Sequence, residues 1–145
     1  MSEQENIQLT RQAIAHLNAR EMDSYLQLID DSYVGENEIA PGPIRGPEGA
    51  RQQLNTILSA FPDLRLEIEQ IIASGDNVVT RVRVTGTHKG TFAGIAPTNK
   101  TVSWGGCNVS EIRNGKVIRG RLYADNASIL RQIGALSIPM VRAAG

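Results

Sequence analysis

From Val78 to Tyr123 the chain alternates apolar and polar side chains with period two. Val78, Thr80, Val82, Val84, Gly86 and His88 fall on one side of a predicted strand. Val79, Arg81, Arg83, Thr85 and Thr87 fall on the other, because successive side chains of a strand point to opposite faces. Val102, Trp104, Gly106, Asn108 and Ser110 line one face of the next strand. Asn114-Gly115 predicts a tight hairpin, since both residues accept the positive φ of a type I′ turn. The strand from Lys116 to Tyr123 sets Ile118, Gly120 and Leu122 against Val117, Arg119, Arg121 and Tyr123. One mainly apolar face and one polar face per strand is the pattern of an antiparallel sheet laid on a core.

Helical spacing dominates the first third of the chain. Ile7, Thr10, Ile14 and Leu17 predict a helix over Ile7–Ala19. Asp23 to Ile29 reads as a short helix capped by Asp23, with Leu26 and Ile29 inward. Ser32–Val34 is a short strand, and Pro41, Gly42, Pro43 and Gly46 mark Glu36–Gly46 as a loop. Pro47 opens a third helix, at a position where its missing N–H costs nothing; Leu54, Ile57, Leu58 and Phe61 face inward and Pro62-Asp63 ends it. Leu64, Leu66 and Ile68 alternate with Arg65, Glu67 and Glu69 in a strand reaching about Ile72, and Gly75-Asp76 turns the chain into the long strands. Asp125 precedes a closing helix, Asn126–Ile133, stopped by Gly134. Val141–Gly145 reads as a loose tail. Segregated helices and an antiparallel sheet predict an α+β fold. In it, a twisted sheet curls around the long helix and leaves a conical cavity. Its mouth is expected among the first helices, the Glu36–Gly46 loop and the Gly90–Lys100 loop.

Composition narrows the function classes. With 145 residues the chain is expected to form one domain. Fifteen basic residues balance fifteen acidic ones and form no stripe, so nucleic acid is not an expected partner. No apolar run approaches the ~20 residues of a membrane span, so no membrane partner is expected. The N-terminus, MSEQENIQ, lacks the layout of a secretion signal, which makes a cytoplasmic location the default. Cys107 is the one cysteine, so neither an internal disulfide nor a multi-cysteine metal site is available. The two histidines, His16 and His88, form no HxH or HxxxH pair, so no metal site is expected.

Candidate chemistry clusters on the inner face. His88 ends a strand beside a glycine-rich loop, as an acid/base at the cavity mouth or as a turn residue bonding loop backbone. Asn108, if it faces the cavity, either contacts a substrate carbonyl or bonds a neighbour and shapes the pocket. Trp104 gives a flat wall suited to a planar or polyene substrate. Gly105 and Gly106 remove bulk beside it, as a bulge or as room for a ligand. Leu17 and Leu122 extend the apolar wall. Tyr33 either donates to an oxyanion or packs its ring with the hydroxyl at the rim. Asp125 is a helix cap or, turned inward by a bulge, a carboxylate near position 122. Glu36 and Glu38 sit in the loop that could close over a ligand. Arg81 and Arg83 face outward, toward Glu67 or Glu69 across the strands or toward a second subunit, and Cys107 packs on the same face.

Several runs carry a family resemblance: Phe61-Pro62-Asp63-Leu64, Gly86-Thr87-His88-Lys89-Gly90, Gly94-Ile95-Ala96-Pro97-Thr98, Asn114-Gly115-Lys116 and the closing LRQIG. With them, about Ile7 to about Leu136 resembles the SnoaL-like polyketide cyclases, within the superfamily of cone-shaped folds typified by nuclear transport factor 2. The resemblance implies a homodimer and a cofactor-free enzyme that closes a ring by intramolecular aldol condensation. It implies an aspartate as general acid/base on the last long strand, with polar helpers on the strand beside it. Laid on this chain, that aspartate falls on Leu122, a histidine and a glutamine fall on Asn108 and Gly106, and an asparagine falls on Gly35; Tyr33 is kept. A leucine cannot exchange a proton. The expected function is therefore a cyclase or isomerase that folds a hydrophobic polyketide-like molecule and orients it through Tyr33, Asn108 and His88. An epoxide-opening or hydroxylating enzyme and a non-catalytic binding module are the alternatives.

Overall fold

The computed structural model describes residues 2–137, and the tail expected over Val141–Gly145 lies outside them. Helix α1 (Glu3–Asn18) begins a turn before Ile7. Ser2 and Glu5 form a capping box: Ser2 Oγ accepts from the Glu5 N–H at 3.1 Å, and Glu5 Oε1 accepts from the Ser2 N–H at 3.3 Å. Helix α2 (Met22–Leu26) is shorter than expected, and Asp23 does not cap it. Asp23 lies in its first turn and pairs with Arg51 at 3.1 Å. Ile29 instead opens β1 (Ile29–Asn37), which extends well beyond Ser32–Val34. Ile44–Arg45 forms β2 inside the expected loop and pairs antiparallel with Val34 and Gly35. Helix α3 (Gly46–Ala60) carries Pro47 in its first turn. Strands β3 (Arg65–Ser74), β4 (Asn77–Thr87), β5 (Thr101–Arg113) and β6 (Lys116–Ala124) follow, then α4 (Asn126–Gln132).

The sheet order is β2-β1-β6-β5-β4-β3. It is not purely antiparallel, because β1 runs parallel to β6. That pairing holds both ends of β1, Ile29 against Val117 and Val34–Asn37 against Arg119–Leu122, while residues 30–33 bulge between them without register partners. Besides the shift in β1 between Ile29 and Val34, two register shifts re-aim side chains, one between Ile68 and Gln70 and the second between Glu111 and Ile112 against β6. At the second, Arg119 pairs with Glu111 and Val117 with Ile112, so Ile118 is the extra residue. Val117, not Ile118, packs into the interior with Leu26 and Ile29. The β4–β5 ladder is unbroken from Asn77↔Glu111 to Thr87↔Thr101, so Gly105 and Gly106 mark no bulge.

The principal core lies between the concave face, α3 and α4. Phe61 is fully buried, with its ring centroid 5.1 Å from that of Trp104 and 5.5 Å from that of Phe92. Ile129 and Ile133 close this cluster from the α4 side. Leu9, Val78 and Ile112 form a second cluster at the opposite end of the concave face. The loop after β4 is fastened to the end of α3, where the Lys89 and Gly90 N–H groups both donate to Ala60 O, at 3.0 and 3.1 Å. Gly90 is needed there, because a Cβ would stand 2.0 Å from Ser59 O.

Candidate active site

Between the concave face, α1 and α3 lies a cavity of about 310 Å³, at the lower end for small-molecule pockets. Three rows cross β4, β5 and β6 on this face. Val82, Gly106 and Ala124 form one row, Thr80, Asn108 and Leu122 the next, and Val78, Ser110 and Gly120 the third. Leu17, Ile14 and Leu9 line the cavity from α1, and Leu54 and Ile57 from α3. Ile39 stands at the mouth, 41% exposed. Beyond Ser110 the Leu9–Val78–Ile112 cluster plugs the other end. A Cβ at Gly106 would meet Val82 Cγ2 at 3.4 Å and Leu122 Cδ1 and Tyr123 O at 3.9 Å, all ordinary contacts, so this glycine widens the hollow.

The polar groups on the cavity's β4, β5 and β1 walls that are free to meet a ligand are neutral. Asn108 Nδ2 donates to Ser110 Oγ at 2.8 Å. Asn108 Oδ1 and Thr80 Oγ1 have no hydrogen-bond partner among the described residues and are not sealed from the cavity. Tyr33 reaches the cavity from β1, its ring lying across two glycines: a Cβ at Gly35 would stand 2.5 Å from Tyr33 Oη, and one at Gly120 2.8 Å. Burial pushes the Tyr33 phenol above its usual range. Burial, and then the nearness of Tyr33, do the same to Tyr25, also in the lining. Both therefore stay protonated at neutral pH and act as donors.

The charged lining residues are Arg20 and Glu36, and both are engaged. Arg20 donates to the carbonyls of Leu17 (2.8 Å), Pro62 (3.0 Å) and Leu64. Glu36 Oε2 lies 3.5 Å from Arg121 Nε, its register partner on β6. Among the described residues no three His, Cys, Asp or Glu side chains converge.

Of the residues singled out from sequence, Trp104, Gly106, Asn108, Leu122, Leu17 and Tyr33 line this cavity together. His88, Asp125 and Glu38 do not. His88 is fully buried, but its Nδ1 faces Thr98, accepting from the backbone N–H at 3.2 Å with the hydroxyl at 3.0 Å. The ring thereby holds the loop after β4, with its centroid 5.7 Å from that of Phe61. Asp125 caps α4, accepting from the Ser128 N–H at 3.0 Å. Glu38 is exposed in the turn after β1. Thr80 and Ser110 fall on the predicted inner faces but were not singled out; a hydroxyl on a mainly apolar face is the signal that could have marked them. Tyr25 and Gly120 gave no such signal, because their roles depend on how β1 crosses β6.

A family model, SnoaL-like polyketide cyclase, matches residues 7–133. The chain belongs to that family. Its fold is the cone-shaped one expected from the likeness to nuclear transport factor 2. Aklanonic acid methyl ester cyclase AcmA of Streptomyces galilaeus is 27% identical over 135 residues, 92% of each chain. The crystal structure of AclR, a proposed hydroxylase from Streptomyces galilaeus, superposes with a TM-score of 0.84 at 28% identity, covering 94% of this chain and 89% of AclR. TsrD from Streptomyces laurentii superposes with a TM-score of 0.83 at 25% identity, covering 94% and 99%. Among the described residues no helix of this family member is long and apolar enough to cross a membrane.

Proposed function

We propose that the protein is a cofactor-independent cyclase or isomerase of a hydrophobic, polyketide-like small molecule, with Leu122 standing where the family's catalytic aspartate is expected. The observation that carries this reading is the cavity itself: an apolar hollow whose free polar groups are neutral donors and acceptors. Such a site favours a reaction that moves little net charge. A substrate that already contains an enol and a ketone needs only to be folded so that the enol carbon meets the carbonyl carbon. The new C–C bond forms as the carbonyl π bond breaks, the carbonyl oxygen becomes an alkoxide and takes a proton from solvent to become a hydroxyl, and the enol oxygen gives its proton to solvent and becomes the new ketone; product and substrate have the same formula. Holding the two carbons in contact supplies much of the rate. The protonated Tyr33 hydroxyl stabilises the developing alkoxide. Asn108 anchors the chain, and Trp104 and Leu122 shape the wall.

The test is turnover of a linear enol-ketone polyketide followed by mass spectrometry. The wild type should give a product of unchanged mass. Tyr33→Phe and Asn108→Ala should each lower kcat by roughly tenfold to a hundredfold while circular dichroism stays unchanged. Unaltered turnover in both variants would refute these roles. The likeness to AclR gives hydroxylation as a second reading, and a product that gains one oxygen atom would select it.

A further inference from the structure

From sequence, Asn108 is expected either to contact a substrate carbonyl or to bond a neighbour and shape the pocket. In the structure it bonds its neighbour Ser110. One N–H of the amide goes to Ser110 Oγ at 2.8 Å, and Ser110 is itself only 7% exposed. Asn108 keeps for the cavity its Oδ1, which only accepts and has no partner among the described residues, beside a second amide N–H. Ser110, having accepted from Asn108, keeps its own O–H to donate. Thr80, 2% exposed and directly opposite Asn108 in the β4–β5 register, has a hydroxyl with no hydrogen-bond partner among the described residues. These three lie toward the end plugged by Leu9, Val78 and Ile112, away from the mouth at Ile39.

We propose that Thr80, Asn108 and Ser110 form a hydroxyl-recognition subsite at the closed end of the cavity, selecting ligands that carry a phenolic or enolic O–H at their buried end. A hydroxyl donates to Asn108 Oδ1 and accepts from Ser110 or Thr80, satisfying both senses of the site. A ketone or a methyl ether can only accept, and leaves Asn108 Oδ1 buried and unpaired, which is the costly outcome. Sites built to bond a hydroxyl discriminate steeply against analogues that lack its hydrogen. The proposal deepens the reading above, in that it assumes the cavity holds the substrate, but it does not depend on which reaction follows.

Isothermal titration calorimetry of the whole chain with 2-naphthol and with 2-methoxynaphthalene tests it without turnover. The wild type should bind the naphthol roughly tenfold or more tightly than its methyl ether. Asn108→Leu should bring the two affinities close together, whereas Thr80→Val, which removes a donor that both probes can use, should keep the preference. If Asn108→Leu does not fold, the smaller Asn108→Ala supplies the readout. Equal binding of the two probes by the wild type, no binding of either, or a preference that persists when Asn108 is replaced would overturn the subsite. Selection for the naphthol in a protein that turns over no polyketide would uphold the subsite and remove the cyclase reading. Turnover without that selection would do the reverse.

Discussion

Tyr33 is held by what its neighbours lack. Its hydroxyl crosses Gly35 and Gly120, and a methyl group at either position would lie within 2.8 Å of it. Contacts that close force the ring to move. Gly120→Ala should therefore displace the phenol, lowering stability by about 1–3 kcal/mol in urea unfolding and reducing turnover along with Tyr33→Phe. Gly106→Ala, whose Cβ would meet nothing nearer than 3.4 Å, is the matched control and should leave stability within about 1 kcal/mol. Alternation in the sequence was enough to bring Trp104, Gly106, Asn108 and Leu122 to one wall, because a side-chain period of two is a local property. It also put His88 on that face, and His88 is buried. Its ring direction, however, is decided by Thr98 ten residues later, through a loop whose path no local pattern specifies. The glycine seat of Tyr33 was illegible for the same reason, since it joins residues 33, 35 and 120 across two strands.

At the scale of elements, the strands and helices followed from periodicity, and the departures have identifiable causes. Ile118 broke the alternation because β6 carries an extra residue against β5. α1 started early because a capping box at Ser2 and Glu5 extends it. β1 outgrew its pattern because a parallel neighbour pairs with both of its ends, at Ile29 and at Val34–Asn37. One side chain ties the α3–β3 connection to the end of β4: Asp63 accepts from the Thr87 N–H and the Thr87 hydroxyl, both at 2.7 Å. Those bonds, the backbone one first, hold its carboxyl below the ordinary 3.8. A depressed folded pKa means that the folded state binds this proton less readily than the unfolded state. Its contribution is thus complete above pH 3.8 and fades as the pH falls through the lower folded value. Carbon-detected NMR titration should find Asp63 titrating below an ordinary aspartate, and Thr87→Val should raise it toward 3.8. An unchanged midpoint in Thr87→Val would contradict this assignment.

For the molecule as a whole, the convex face of the sheet is the surface left to explain. Arg81 Nε lies 3.7 Å from Glu69 Oε1, the cross-strand pairing anticipated from sequence. Around it Ile72 and Tyr123 are about half exposed, at 51% and 52%, and Cys107 lies between Arg81 and Tyr123 in the strand register. The homodimer implied by the family resemblance would cover this face. Light scattering should give twice the chain mass, and Tyr123→Arg should return it to one; a wild-type monomer would remove the expectation. The parallel pairing of β1 with β6 has a separate consequence, for biosynthesis. Its partners lie roughly 90 residues apart along the chain. While a ribosome is still making the middle of the protein, the strand that carries Tyr33 has no permanent neighbour on that side, and the hollow has no finished wall. Ligand capture must therefore wait until the last strand leaves the exit tunnel, and a nascent chain stalled before Lys116 would present an open edge to chaperones instead of a binding pocket.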